Sequence, residues 1–126
     1  MSNRFPVLVA GVVGVMFVVL GLWAFVAPQS FFDTTATFEP YNPHFLHDIG
    51  SFMLGLGAVL LLATRMSDGL GVALWGVGVG NAFHLISHVM DTDLGGKPAT
   101  DIPFFAAIAI VLFGAAWART RGRRPS

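Results

Sequence analysis

The sequence contains no cysteine, a single tyrosine and a single lysine, and only 11% of its 126 residues are charged. Without cysteine there is no disulfide, no thiolate metal site and no sulfur nucleophile, and thiols say nothing of the redox compartment. So few charges leave too little polar surface to coat a soluble globule, because 55% of the residues are apolar and the mean hydropathy is +0.73. Lipid is the solvent that this composition suits. Alternation of apolar and polar residues, the mark of a membrane β-strand, is also missing, and the apolar runs are about twice the length such a strand needs.

A helix needs about 20 apolar residues to cross ~30 Å of hydrocarbon. Four stretches qualify: 6–27, bounded by Arg4 and Pro28; 45–64; 69–90; and 102–118, which is shorter but has interfacial flanks. Asn42-Pro43 and Thr100-Asp101-Ile102-Pro103 mark two helix starts, each a side chain that can accept a free N–H followed by proline in the first turn. Arg65 to Asp68 is so short a connection that the second and third spans are expected to form an antiparallel hairpin. The expected fold is all-α, a single integral membrane four-helix bundle. The first apolar run is longer than that of a signal peptide and lacks a small-x-small cleavage site, so retention is expected.

Direction follows from the basic residues. Arg4, Arg65, Arg119, Arg121, Arg123 and Arg124 fall on one side of a four-span arrangement and Lys97 alone on the other, which places both termini in the cytoplasm. Asp33, Glu39, Asp48, Asp91, Asp93 and Asp101 then lie outside, leaving Asp68 inside. The expected location is the plasma membrane, with 119–126 a basic cytoplasmic tail that fixes topology and touches anionic lipid. That tail is too short, and too lacking in folded basic surface, to bind nucleic acid. Gly11, Gly14 and Gly21, then Gly50, Gly55 and Gly57, then the GxxxG of Gly76 and Gly80, suit close helix approach within the chain, in a homo-oligomer, or against a membrane-protein partner. Gly76 to Gly80 is no dinucleotide loop, since it lacks the preceding strand and the following acidic residue. The 28–43 connection, with Phe31, Phe32, Phe38 and Tyr41, is long for so small a bundle and is expected to fold over its outer end or lie among headgroups.

All four histidines fall in two short segments. His44, His47 and Asp48 are spaced i, i+3, i+4 at the start of the second span, and His84, His88 and Asp91 are spaced i, i+4, i+7 at the end of the third, so each set makes one stripe. Counted from Ser67 in the hairpin turn, His47 is 20 residues before and His88 is 21 after, which puts both at roughly 30 Å from the turn. His44 matches Asp91 in the same way, and Ser51 matches His84. Four imidazoles and two carboxylates at one corner suit a divalent transition metal, zinc, copper or iron, with His44, His47, Asp48, His84, His88 and Asp91 as candidate ligands or as carboxylates that orient the rings. A metal-bound water there is a route to hydrolysis, and an oxidoreductase is the other enzymatic option for a lipid-phase substrate. Haem b ranks below an ion, because spacings of three and four residues serve one porphyrin at most and leave two histidines over. The plain alternative is that these are interfacial polar residues bonding water and helix ends, in a non-enzymatic accessory or structural protein. A binder of quinone or another lipid, with Phe83 or Phe104 against the ring, is the third reading.

Trp23-Ala24-Phe25-Val26-Ala27-Pro28 closing a glycine-rich first span, Asn42-Pro43-His44-Phe45-Leu46-His47-Asp48-Ile49-Gly50 opening the second, and Leu54-Gly55-Leu56-Gly57 within it resemble the small four-helix membrane proteins called DoxX-like. The resemblance covers the first three spans. It implies a four-helix membrane fold and, through some members, a link to quinone-dependent oxidation of sulfur compounds. Relatives are expected to carry a basic residue before Asp where this chain has His47-Asp48, and no catalytic residue is carried over.

Overall fold

The computed structural model describes residues 4–122, which form five helices: α1 (Arg4–Val26), α2 (Pro28–Thr34), α3 (Pro43–Ala63), α4 (Leu70–Met90) and α5 (Pro98–Arg121). All but α2 are long and apolar enough to cross a membrane, and no strand occurs among the described residues. Arg123 and Arg124 of the expected basic tail lie outside the described residues; Arg119 and Arg121 are part of α5 rather than a tail.

Glycine decides how α1 and α3 pack. A Cβ on Gly21 would lie 2.8 Å from the Gly50 carbonyl oxygen and one on Gly50 2.7 Å from that of Gly21, while Gly57 stands in the same relation to Gly14 at 2.8 Å. The pairs 14 with 57 and 21 with 50 run in opposite order, so the two helices are antiparallel and their backbones touch. In lipid, where burial of apolar surface gives no drive, such close approach is what holds helices together. Helices α4 and α5 form a second antiparallel pair with larger groups: Gly78 faces the Phe113 ring, Trp75 packs on Phe113, and Asn81 Nδ2 donates to the Phe105 carbonyl at 2.8 Å. A core of Val9, Val13 and Phe17 from α1, Leu60 from α3, Leu74 from α4 and Leu112 from α5 joins the pairs in the half of the bundle away from α2. At that end the buried Arg119 donates from Nη2 to the Ser67 carbonyl at 2.5 Å, pinning α5 to the α3–α4 turn. The outer coat is apolar, with Val12, Val19, Phe52, Val72 and Ile110 exposed, as lipid-facing surface requires.

Two elements differ from expectation. The 28–43 connection is not all loop: Pro28, which ends α1, occupies the first turn of α2, where its missing N–H costs nothing. Phe31 and Phe32 then bury against Ala24 and Leu46, with Tyr41 edge-on to Phe32. Helix α5 begins at Pro98, four residues before the expected 102, because Asp101 caps it by reaching back to accept the Lys97 N–H at 2.8 Å. Pro103 sits inside the helix, near enough to its start to forfeit a single early hydrogen bond.

Candidate functional site

His84 and His88 lie one turn apart near the end of α4 and point their rings the same way. Their Nε2 atoms are 3.1 Å apart. Both rings lie on Phe105 of α5, with centroid distances of 4.1 Å for His84 and 4.8 Å for His88. Phe105 is in turn fixed by the Asn81 amide on its carbonyl, so a single residue of α5 sets the orientation of both imidazoles. Behind His88, the Asp101 Oδ2 stands 3.8 Å from Nδ1, beyond direct hydrogen-bond length and within ion-pair reach.

The surrounding connections enclose this arrangement from the α2 end. Asp101 accepts the Lys97 N–H, the Lys97 ammonium donates to the Thr34 carbonyl at 2.6 Å, and the Gly96 N–H bonds the Thr37 carbonyl at 3.2 Å. Gly96 has φ +73° and lies against the Phe38 ring, a conformation and a clearance that only glycine meets without strain. Phe38 presents its edge to His88 at 5.9 Å. Two connections far apart in sequence thus close over His88 and Asp101, whose side chains are only 12% and 20% exposed, while His84 stays exposed.

Of the six candidate ligands, only His84 and His88 touch within this pair. His44 Nε2 pairs with Asp48 at 3.6 Å, with side chains 86% and 57% exposed, and His47 packs on Phe25 of α1 at 5.3 Å. The buried face of α3 is Leu46, Gly50, Gly57 and Leu60, so the His44 to Asp48 stripe points away from the core. Asp91 ends α4, its carbonyl accepting the Leu94 N–H. Equal height therefore does not bring the stripes together, because rotation about the helix axis turns one of them outward. Among the described residues no group of three or more histidine, aspartate or glutamate side chains is gathered as a metal-binding cluster. Asp101 and Phe105 belong to the site although neither was a candidate; the available signal was an acidic residue and a phenylalanine in the first two turns of α5, level with the end of α4.

Chemically, the histidine pair can do two things. With Nδ1–H of His88 turned to Asp101, its Nε2 is a lone pair that accepts the Nε2–H of His84. Alternatively one cation replaces that shared proton: two nitrogens held at ~2.0–2.1 Å in a tetrahedron stand about 3.3 Å apart, within a few tenths of the observed spacing. Compared with protein-family models, curated proteins and solved structures, the chain gives no match.

Proposed function

We propose that the chain is a plasma-membrane protein of four spans, both termini cytoplasmic and α3 with α4 an antiparallel hairpin, that binds one divalent transition metal through His84 and His88 at its extracytoplasmic end. The separation of their Nε2 atoms, 3.1 Å, carries the reading. Asp101 supports it as a carboxylate 3.8 Å from the His88 Nδ1, whose negative charge favours a cation at the pair. An ion suits this pair better than haem, whose axial ligands approach from opposite faces of a ring, whereas these two nitrogens lie side by side. The membrane orientation is supported by the basic residues Arg4, Arg65, Arg119 and Arg121 and by the position of Lys97 at the opposite end. The kinship with DoxX-like proteins belongs to this proposal and rests on the motifs quoted above.

Chelator-free purification followed by elemental analysis and an absorption spectrum tests the reading. Bound zinc, copper or iron that is lost in the His84→Ala, His88→Ala double variant is the expected result. Metal-free wild-type protein after loading with each ion overturns it. A second reading, a binder of quinone or another lipid headgroup, is favoured by one observation: His84 is exposed beside the exposed rings of Phe83 and Phe104, so its nitrogen is within reach of a lipid-phase carbonyl. Mass spectra showing a stoichiometric lipid lost with His84→Ala would select it.

A further inference from the structure

The histidine pair is covered on one side only. His84 is exposed, whereas His88, one turn nearer the α2 end of the bundle, lies with Asp101 under the chain at 37–38 and 95–97. Glycine permits that cover. Gly95 and Gly96 have φ of +134° and +73°, and a Cβ on Gly95 would lie 2.7 Å from the Thr37 carbonyl oxygen, one on Gly96 2.6 Å from the Phe38 ring. The two connections therefore lie closely one on the other, with Phe38 held between Gly96 and His88. What keeps them shut is slight: the Lys97 ammonium on the Thr34 carbonyl and the Gly96 N–H on that of Thr37. Lys97 and Thr34 are both exposed, so water competes for their bond more than for the part-buried one from Asn81 to Phe105. The two sides that it joins are firmer. Thr34 ends α2, whose Phe31 and Phe32 bury against Ala24 and Leu46, and Lys97 leads directly into α5.

We infer that these connections are a gate between the histidine pair and the water at the α2 end, latched by Lys97 on the Thr34 carbonyl, which opens to pass a divalent ion and closes over it. An ion reaching His84 through hydrocarbon would lose its water shell with nothing to replace it, which is costly. The route from water leads past His88, and Phe38 stands on it. Release of the latch frees Phe38 to leave His88, while Phe105 continues to hold both imidazoles, so the ligands stay in place as the cover moves. Passage of the ion rests on the metal reading above; the cover over His88 does not, and two tests separate them.

Cobalt added to and withdrawn from the full chain in detergent, followed by its absorption, reads the gate as a pair of rates. Lys97→Met, which keeps the stem and removes the cation, is expected to speed both entry and chelator-driven release roughly 3- to 10-fold, the worth of one such hydrogen bond, with affinity nearly unchanged. Lys97→Arg, which can still donate to Thr34, is expected to keep wild-type rates. Rates unmoved by Lys97→Met overturn the gate, and so does faster release with entry unchanged, the mark of a contact that merely steadies the site. The second test uses metal-free protein and diethyl pyrocarbonate, with each histidine mapped by mass. Exposed His44 is expected to react fast, and His88 slowly until it is uncovered by Lys97→Met or by Gly96→Ala, whose methyl displaces Phe38. A His88 that matches His44 in wild type, or that reacts no faster in either variant, overturns the gate. Wild-type protein that takes no metal overturns the metal reading, and the reagent then decides whether the cover opens.

Discussion

Asp101 holds two roles that a single substitution can separate. It accepts the Lys97 N–H at the start of α5, and it stands behind His88. Asn keeps an oxygen for the first role and loses the charge for the second. Asp101→Asn is therefore expected to leave the protein folded and to weaken zinc binding roughly 10- to 100-fold, the range for partners that orient a metal-binding histidine. Competition with a chelating dye measures it, and unchanged affinity would show that Asp101 is only a cap. By contrast His44→Ala, removing a ring that is 86% exposed, is expected to leave metal content as it is. Loss of metal in that variant would restore the shared corner. The candidate site was half legible at this scale: the i, i+4 spacing sets His84 and His88 one turn apart on α4, where their Nε2 atoms lie 3.1 Å apart, since rise per residue is fixed. Azimuth is not fixed in this way. It depends on which face of α3 its glycines turn towards α1, and that choice sends His44 and Asp48 outward.

At the scale of the helix, the seven-residue spacing of Gly14 with Gly21 matches that of Gly50 with Gly57, and the two sets interlock. A side chain at Gly21, Gly50 or Gly57 collides with backbone, which cannot step aside as a flexible side chain can. Gly21→Val is expected to destabilise the protein by about 1–3 kcal/mol, the usual penalty for overpacking, and to shift its unfolding in a denaturing detergent. Gly11→Ala on the same helix meets nothing within 4 Å and should unfold like wild type; equal loss in both would mean that the seam is not what stabilises the pair. Glycine as a packing residue was readable from composition, but which glycines pack was not: Gly76 and Gly80 are the same letters as Gly50 and Gly57 and face open space. The four long helices were readable because each apolar run is long enough to span and ends at charge or proline. Helix α2 was hidden since Pro28 ends one helix and starts the next.

For the molecule as a whole, the proposed direction of insertion rests on the arginines at the Ser67 end and Lys97 at the other. A green fluorescent protein fused after Ser126 is expected to fluoresce, and alkaline phosphatase in the same place to stay inactive, because the one needs the cytoplasm and the other the far side. The opposite pair of signals would invert the topology and put the histidine pair on the cytoplasmic face.

The chain is two helix pairs laid end to end in sequence, and this has a bearing on its synthesis. Everything the α1–α3 seam requires has been made once Ala63 leaves the ribosome, when no histidine of α4 yet exists. Chain order therefore lets the first pair close before the second is made, and leaves the bond from Lys97 back to the Thr34 carbonyl to form after α4 has been made.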